Sequence, residues 1–438
     1  MRGIACVLLA IPLMFSPLAA QDFGFDDEDA GESGGGFGQG GGGSPLAVSI
    51  GGEVQASVIG FFDDFAEGAS HTRFGDIFSG KLNFKADTSL ATGTINLKLR
   101  PSESPVVIDE AYIGAYFGSL DIEAGLRKLT WGKADSSGPL DVINPVDYSD
   151  LSGMGDSASL KIARPLIRAS FHFGQFNKLE GVFVPTFEPM KFADTGRWAP
   201  VQFAALSQFP SETIIKPDTT TLEYAQAGIR FTTTIGGAVD IGTQYYYGRM
   251  TSPVVIQTPS ADPQFPIVTF SYNPYHQIGF DYAQVIAGFN LRAELAANVT
   301  EDLDGDDGTV YNPSFAWSIG FDREVFWRIT LNVQCNETIR LLDSKIDDPQ
   351  DIEAGSDITS TSLVVALTKS FLRDELELEA AALWDIENGA CLIMPGLTWT
   401  KDDVTVELLA GIFAGGDEGL FGQFHGNSFI KASIRYSF

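Results

Sequence analysis

The chain has 438 residues, with 28 Lys and Arg against 57 Asp and Glu, so its formal net charge is −29. This balance argues against nucleic-acid binding, because neutralising phosphates requires clusters of basic side chains. Charged residues make up 19% of the chain, below the roughly 25% usual for soluble domains, and the 44% hydrophobic content excludes general disorder. No run in the mature chain reaches the about 18 apolar residues of a membrane-spanning helix, so a helical membrane protein is excluded.

The N-terminus has the pattern of an export signal. Arg2 precedes an apolar run over residues 4–15, and small residues follow up to Ala20. This order predicts a secretory signal peptide over residues 1–20, cleaved after Ala20. Gln21 follows the predicted cleavage site, where a lipid-anchored precursor would have a cysteine.

The next segment, residues 21–45, is acidic at its start and then mostly glycine. Such a composition buries too little apolar surface to offset the entropy of ordering. We therefore expect a flexible, solvated tail. Recognition of this tail by periplasmic folding factors is the alternative that the sequence leaves open.

Three cysteines occur in the sequence, and Cys6 leaves with the predicted signal peptide. Cys335 and Cys391 remain in the mature chain. An oxidising compartment allows a disulfide between them, but their spacing also fits two free thiols, and the sequence does not decide between these.

From residue 46 onward, polar and apolar side chains alternate, as in residues 94–100 and 328–334. Successive side chains of a strand point to opposite faces, so each strand has one apolar and one polar face. A soluble sandwich also alternates, but strands of about ten residues are the length that a tilted strand needs to cross a bilayer. Aromatic residues at predicted strand ends suit interfacial girdles. They are Tyr245, Tyr246, Tyr247, Phe326, Trp327 and Trp399.

Short and long connections alternate along the chain. Short turns are predicted near residues 118, 175, 236, 288, 322, 372 and 401. Longer polar connections are predicted at about 63–76, 132–157, 187–221, 250–275, 300–312, 337–358 and 414–426. Outer-membrane barrels have short periplasmic turns and long outer loops. The sequence therefore predicts an all-β fold over residues 46–438, a transmembrane antiparallel outer-membrane β-barrel of about 18 strands (16–18), with both ends on the periplasmic side.

The last residues alternate up to a terminal aromatic side chain. Ile434, Tyr436 and Phe438 fall on one face of the predicted final strand. This ending resembles the terminal strand by which bacterial outer-membrane barrels are recognised by their assembly machinery. The resemblance implies an outer-membrane location, contact with outer-membrane lipid, and the barrel-assembly machinery and periplasmic chaperones as partners.

The polar face of each strand is expected to line the lumen. The basic side chains predicted there are Lys81, Lys85, Lys98, Arg100, Arg127, Arg168, Arg230, Arg292, Arg328, Lys431 and Arg435. The acidic ones are Asp121, Glu123, Asp240, Glu294, Glu375, Glu377, Glu379 and Glu407. Rings of charge set pore selectivity, so one hypothesis is a mixed lumen whose basic patches admit anionic or polar neutral solutes. The alternative is that these charges pair across strands and hold the wall.

Residues 125–147 depart from the alternation and contain several turn formers. Long loops are often the functional ones, so a loop here is a candidate constriction of the pore. An outward surface loop is the alternative, and both stay open. The constriction candidates are Trp131, Lys133, Asp135, Asp141, Asn144 and Asp147.

This segment also resembles part of a known group of proteins. The matching residues are Arg127, Trp131, Gly132, Lys133, Asp141, Asn144, Pro145 and Asp147, with a second short match over residues 421–438. They are similar to the alginate-exporter-like outer-membrane porins and related uncharacterised porin families. The resemblance implies a large monomeric barrel with loops folded toward the lumen. Alginate as the solute is not implied, because the dense arginine lining expected of that exporter is only partly present.

Two further chemistries have some support in the sequence. Asp302, Asp304 and Asp306 form an oxygen-rich loop that suits weak Ca²⁺ binding, but a solvated outer loop is favoured, because the helix-loop-helix calcium pattern is missing. Ser170 and His172 share a strand face, yet no nucleophile or metal motif surrounds them, so wall lining is favoured over catalysis. We expect no enzyme activity and no cofactor.

The function predicted from the sequence is an outer-membrane porin-like channel for passive diffusion of small polar or anionic solutes. A surface adhesin or structural barrel with ligand-binding outer loops is the alternative. An outer-membrane lipid hydrolase is the less favoured third candidate.

Overall fold

The computed structural model describes residues 46–62, 72–73, 78–100, 105–135, 138–154, 157–207, 209–260, 265–342, 346, 351–416 and 418–438. These residues form an all-β barrel closed by 18 antiparallel strands. The predicted signal peptide, residues 1–20, and the predicted tail, residues 21–45, lie outside the described residues. Most of the connection predicted at 63–76 lies outside them too.

The strands coincide closely with the segments in which polar and apolar residues alternate. The strands are β1 Ala47–Phe61, β2 Phe78–Asp87, β3 Ala91–Leu99, β4 Val107–Phe117, β5 Leu120–Arg127, β6 Arg164–Phe173, β7 Asn177–Val184, β8 Gln226–Ile235, β9 Val239–Arg249, β10 Pro274–Ile286, β11 Phe289–Thr300, β12 Ser314–Glu324, β13 Thr330–Arg340, β14 Thr359–Phe371, β15 Leu376–Asp385, β16 Ala390–Lys401, β17 Val404–Gly415 and β18 Phe429–Ser437. Each strand pairs with its neighbours in sequence. Pairing of β18 with β1, with Ala432 opposite Val58, closes the barrel.

Short connections join the strands at one edge of the barrel, where β1 begins and β18 ends. They are residues 88–90, 118–119, 174–176, 236–238, 287–288, 325–329, 372–375 and 402–403. Gly236 and Gly237 have φ angles of 61° and 68°, a conformation open to glycine, which turns β8 directly back into β9. In outer-membrane barrels the edge with short turns faces the periplasm.

The connections at the opposite edge are mostly long. They are residues 62–77, 100–106, 128–163, 185–225, 250–273, 301–313, 341–358, 386–389 and 416–428. The turn predicted near residue 322 is displaced, because the alternation of β12 continues through Asp322 to Glu324. Three short helices lie in the long connections: α1 Ser157–Leu160, α2 Val201–Leu206 and α3 Gly419–Gly422. Within the described ranges, no helix has the length and apolar character needed to cross a membrane.

The two faces of the wall differ in polarity in the sense expected for a barrel in lipid. Outward Ile167, Ile278 and Ile319 are 52%, 61% and 55% exposed, whereas inward Gln277 and Glu294 are each 1% exposed. A large exposed apolar surface is costly in water but is favourable against hydrocarbon. The polar side chains of the strands therefore point into the lumen, and the apolar side chains point outward.

The lumen holds an apolar cluster against one part of its wall. The wall contributes inward side chains of β1 and β14–β18, namely Phe61, Val364, Ala366, Ala381, Leu383, Ala390, Leu392, Met394, Phe413 and Phe429. The connections contribute Tyr148, Leu151, Met154, Leu160, Met190, Trp198, Leu420, Phe421 and Phe424. Trp198 lies at the centre, with ring centroids 5.7 Å from Phe424 and 5.8 Å from Phe413. Loops from the long-connection edge thus fold into the barrel and cover this part of the wall.

Cys335 and Cys391 are both free. Cys335 lies on β13 and Cys391 on β16, and these strands are not neighbours in the barrel. The disulfide that the sequence left open is therefore not formed in this structure.

Candidate functional site

Residues 128–146, which we call the inward segment, enter the lumen after β5. Trp131, Leu140 and Ile143 are 3%, 0% and 2% exposed. Trp131 Nε1 donates a 2.6 Å hydrogen bond to Glu180 Oε1 on the inner face of β7. The segment therefore lies against the inner wall and not on the outer surface, which was the alternative left open by the sequence.

Glu294 on β11 is the centre of the contact between the inward segment and the wall. Its Oε1 accepts hydrogen bonds from the backbone N–H groups of Lys133 and of Ala134, the latter at 2.8 Å. Its Oε2 accepts from the Leu140 N–H at 3.3 Å. Three backbone donors thus surround one buried carboxylate, as in the backbone cavities that bind anions.

Two glycines allow this close approach. An ideal Cβ at Gly132 would lie 2.2 Å from Glu294 Oε1, and one at Gly138 would lie 2.2 Å from Glu294 Oε2. Any larger residue would push the segment away from the carboxylate. Gly132 and Gly138 are therefore both required by the packing against β11.

Amide side chains of the wall extend the contact. Gln244 Nε2 donates to the Leu140 carbonyl and Gln277 Nε2 to the Pro139 carbonyl, both at 3.0 Å. The Asp135 N–H donates to Gln334 Oε1 at 3.1 Å. Backbone groups of the segment, which would otherwise be buried without partners, are satisfied by these inward amides.

Charged side chains of the segment also pair with the wall. Asp135 accepts from the Arg292 guanidinium and, at 2.9 Å, from Asn332 Nδ2. Lys133 Nζ lies 3.3 Å from Asp240 Oδ2. Burial raises the pKa of the Asp135 carboxyl above its usual range, and the nearby Arg292 guanidinium opposes this shift.

The two ends of the inward segment are held together at its base. Asn144 Nδ2 donates to the carbonyls of Arg127 and Ile162, at 3.1 and 2.8 Å, and its Oδ1 accepts from the Leu129 N–H at 2.7 Å. Asp141 pairs with Lys161 at 2.6 Å, and burial raises the pKa of the Asp141 carboxyl. A single side-chain amide, that of Asn144, thus holds three backbone groups together.

Five of the six predicted constriction residues, Trp131, Lys133, Asp135, Asp141 and Asn144, lie in the inward segment. Asp147 lies just beyond it, where Asp147–Tyr148 pairs in parallel with Lys191–Phe192. The Asp147 carboxylate accepts from the Ser149 N–H at 3.0 Å, a local turn contact. That the segment narrows the solute path stays a prediction.

Most of the basic side chains predicted inside the barrel are ion-paired. Arg230 lies 2.7 Å from Asp281 and donates to Gln244 Oε1 at 2.7 Å. Arg168 contacts Glu123 at 2.8 Å and Glu180 at 2.6 Å. Arg168 on β6 thus joins the neighbouring strands β5 and β7, and Arg230 on β8 reaches across β9 to β10, as the alternative hypothesis of wall-holding charges requires.

Further ion pairs lie around the barrel, some between neighbouring strands and some within one strand. Arg127 pairs with Glu123 and lies 4.5 Å above the Tyr112 ring. The remaining pairs are Lys81 with Glu53 at 3.1 Å, Lys85 with Asp87 at 3.3 Å, Lys98 with Asp109 at 2.9 Å, Arg292 with Asp322 at 2.5 Å, and Arg435 with Glu53 at 3.7 Å. Lys431 lies on the inward face of β18, opposite Leu409 of β17.

The predicted acidic residues have several kinds of partner. Asp121 lies 3.2 Å from His172 Nε2, and Glu123, as described above, pairs with two arginines. Glu377 and Glu407 accept hydrogen bonds from Ser370 at 3.4 Å and from Ser433 at 3.2 Å. Glu379 occupies the same face of β15 as Glu377.

Three of the predicted lumen positions lie just beyond the strand ends and not on strands, and their lining of the lumen stays a prediction. Arg100 follows the end of β3, and Glu375 precedes β15. Arg328 is exposed in the 3₁₀ turn Phe326–Arg328, with a φ of 57°. Period-two alternation does not show where a strand ends, so the pattern of residues 328–334 was extended two residues too far.

Sequence reasoning also missed inward residues. Glu180, Asp281, Gln244 and Gln277 are all buried on the inner face; Glu180, Gln244 and Gln277 contact the inward segment, and Asp281 pairs with Arg230. The same alternation could have found all four, the two glutamines only if uncharged polar side chains were counted with the charged ones. Asp109 differs, because the pairing register shifts between Asn96 and Leu97, and the bulge brings its carboxylate to Lys98.

The C-terminal residues have the predicted placement. Ile434, Tyr436 and Phe438 are 51%, 50% and 54% exposed on the outward side of the final strand. Tyr436 and Phe438 stack with ring centroids 6.3 Å apart. Recognition of this face by the assembly machinery stays a prediction.

The weak calcium candidate is not assembled as a site. The Asp302 carboxylate accepts from the N–H groups of Asp306 and Asp307, each at 3.1 Å, so it caps its own loop, while Asp304 and Asp306 are exposed. In the described part of the chain, no three metal-binding side chains form a cluster. Ser170 donates to Glu180 at 3.2 Å, which ties its hydroxyl to a carboxylate and not to His172.

No family model and no curated protein matches this sequence. Among solved structures, the chain is similar to OccAB4 of Acinetobacter baumannii, with a TM-score of 0.51 and 9% identity over 89% of this chain and 98% of that chain. OccK11 (OpdR) of Pseudomonas aeruginosa gives a TM-score of 0.49 and 8% identity over 92% and 99% of the two chains. The outer-membrane channel DcaP of Acinetobacter baumannii gives 0.44 and 9% over 92% and 99%. The likeness to OccAB4, together with the closed barrel, shows that this chain has the fold of the outer-membrane porins.

Proposed function

We propose that this protein is an outer-membrane channel through which small polar solutes diffuse passively. The observation that carries the proposal is the docking of the inward segment on Glu294, because a loop fixed across a polar lumen is a means of narrowing a wide barrel. The apolar outward face and the fold support the membrane location. The resemblance to alginate-exporter-like porins supports a large barrel with inward loops, and no alginate substrate is proposed.

The pairing of the lumen charges bears on the solute class. Arg168, Arg230 and Arg292 each contact at least one carboxylate within 2.8 Å. Paired charges cancel at a distance, so we infer that they hold the wall and give only a weak preference for anions. Small polar solutes are therefore favoured over anions as the cargo.

A structural or adhesive barrel is the second candidate, because one observation favours it. The apolar cluster fills the lumen beside β14–β18, with Leu383 and Leu392 fully buried. If the inward segment and this cluster together block the lumen, the protein acts through its outer loops and not as a pore.

Single-channel conductance in a planar bilayer tests the proposal, with the refolded mature chain, residues 21–438, under a salt gradient. We expect stable conductance steps with a small anion preference. Glu294→Ala removes the acceptor of three N–H groups, and Gly138→Ala places a Cβ against the same carboxylate, so both should raise the conductance. Gly181→Ala on β7 is the matched control, because nothing lies within 4 Å of its ideal Cβ.

The outcomes separate the candidates. Heat-modifiable gel mobility first establishes that each variant is folded. Silence of the folded wild-type barrel contradicts the channel and favours the structural barrel. Equal conductance of wild type, Glu294→Ala and Gly138→Ala contradicts the inward segment as the constriction.

A further inference from the structure

A cavity of about 220 Å³ lies in the lumen beside the inward segment. Pro139 and Asn144 of the segment line one side, and inward residues of β10–β14 line the other. Tyr311 and Glu353, from two of the long connections, also line it, so the cavity lies toward the outer end of the lumen. Its size is below the roughly 300–1,000 Å³ of drug-sized ligand sites, which indicates a small ligand.

The strand side of the cavity is lined by uncharged amides and hydroxyls. Gln277 Nε2 donates to Asn298 Oδ1 at 2.9 Å, and Asn298 Nδ2 donates to Ser314 Oγ at 3.1 Å. Asn336 Nδ2 donates to Ser362 Oγ at 3.3 Å on the adjoining strands. A side-chain amide has two N–H groups and two acceptor lone pairs, so each asparagine keeps capacity for a ligand after these bonds.

Most of the charges around the cavity are compensated within the protein. Arg340 Nε donates to Glu353 Oε1 at 2.8 Å, and Asp141 pairs with Lys161 at 2.6 Å. Arg249 donates to the neutral carbonyls of Tyr272 and Glu223, each at 2.9 Å, and its buried Nε has no hydrogen-bond partner among the described residues, so it is a donor for a ligand oxygen. The paired charges contribute little to binding an ion, because they are already neutralised.

Two buried acceptors in the cavity wall have no hydrogen-bond partner among the described residues. They are Asn312 Oδ1 and Asp141 Oδ1. Asn312 is 2% exposed, and its Nδ2 donates to Glu353 Oε2 at 2.8 Å, which fixes the orientation of the amide. A buried acceptor without a donor costs about 1–3 kcal/mol, and a ligand hydroxyl is a donor that would satisfy it.

Apolar surface completes the lining. Tyr275, Val142 and Met250 belong to the small apolar group around Trp131 and also line the cavity. A ring that carries hydroxyls at its edge and C–H groups on its faces presents polar and apolar surface at once. Aromatic side chains with nearby polar groups suit such a molecule.

We propose that this cavity binds an uncharged polyhydroxylated solute of about the size of one sugar ring. The proposal rests on the channel function and deepens it, because the cavity lies in the lumen through which the solute would pass. The amides of Asn298 and Asn336 hydrogen-bond the hydroxyls, and Asn312 Oδ1 accepts one more.

Isothermal titration calorimetry of the refolded barrel in detergent tests the proposal, with D-glucose as the neutral probe and D-glucuronate as its acid of matched shape. We expect D-glucose to bind more tightly than D-glucuronate. Asn298→Ala and Asn336→Ala should each weaken D-glucose binding about tenfold, the effect of losing one hydrogen bond to a buried partner. Asn290→Ala is the matched control, on the same face of β11 but next to Asp322, outside the cavity.

A second variant keeps the test decisive if an alanine variant fails to fold. Asn336→Asp retains the side-chain size and adds a negative charge, so it should favour protonated D-glucosamine over D-glucose. The proposal is overturned if D-glucose does not bind, if D-glucuronate binds as tightly, or if the cavity variants match Asn290→Ala. Titration requires no ion flow, so a silent barrel that binds D-glucose contradicts the channel alone, and a conducting barrel that does not bind it contradicts the cavity alone.

Discussion

The two sides of the lumen follow the same strand alternation but differ in what covers them. On the side formed by β5–β13, buried inward Glu180 and Glu294 contact the inward segment, and buried Asp281 pairs with Arg230. On the side formed by β14–β18, inward Leu383 and Leu392 are fully buried in the apolar cluster. The first side combines hydrogen bonds and ion pairs with a smaller apolar group around Trp131, and the second is packed like the core of a soluble protein.

The difference shows that the inner face of such a barrel can be apolar where loops cover it. Strand β15 has Leu383 inside and Trp384, 49% exposed, outside, so this part of it is apolar on both faces. Such a strand is stable only when loops remove its inner face from water. We therefore expect the solute path to lie on the side of β5–β13, and three changes test this division.

The largest effect is expected from Trp198→Ala, which breaks the apolar side. The Trp198 ring lies within 6.3 Å of the Phe61, Phe413, Phe424 and Phe429 rings. Its removal should lower barrel stability by about 3–5 kcal/mol, the usual cost of truncating a buried aromatic side chain. Chemical unfolding in detergent measures this loss, and limited proteolysis should show earlier cleavage in residues 185–225.

Trp384→Ala is the control for that change, because this tryptophan is on the outward face of β15 and half exposed. It should leave loop cleavage unchanged. Equal protection of the loops in Trp198→Ala and wild type would contradict the view that the apolar cluster holds them.

An intermediate effect is expected from Arg292→Gln on the polar side. The guanidinium contacts both Asp135 and Asp322, so its loss leaves two carboxylates without their cation. We expect a stability loss of about 2 kcal/mol, typical of hydrogen bonds to charged groups, and a reversal potential shifted toward cations.

The double variant Arg292→Gln with Asp135→Asn restores the charge balance and should return the reversal potential toward the wild-type value. A single and a double variant with equal reversal potentials would show that the Arg292–Asp135 pair is not in the ion path.

The smallest effect is expected from pH acting on the inward segment. The docked Asp135 carboxyl has a raised pKa, so the docked state holds a proton more tightly than a released segment with an ordinary carboxyl. Lowering the pH from neutral to mildly acidic should therefore favour docking and reduce current fluctuations, and raising it should do the reverse. In Asp135→Asn this pH response should shrink. If the pH response of Asp135→Asn equals that of the wild type, other titratable groups cause it.

The alternation predicted the barrel, the orientation of most strands and the outward C-terminal face, because side-chain direction in a strand depends only on local geometry. The pattern did not show that Arg100 and Arg328 lie beyond the strand ends, since strand ends depend on pairing and turn conformation. It also gave no signal for Asp109 as the partner of Lys98, because a bulge between Asn96 and Leu97 shifts the pairing register there.

The sequence by itself thus determined an all-β chain with polar and apolar faces, and it marked residues 125–147 as an exception. Only the tertiary structure decided that this exception lies inside the barrel, because its docking depends on Glu294, more than 150 residues away. Only the tertiary structure revealed the apolar cluster as well. Apolar residues in a strand look alike in sequence whether lipid or loops cover them, and the hydrophobic effect does not distinguish between these two coverings.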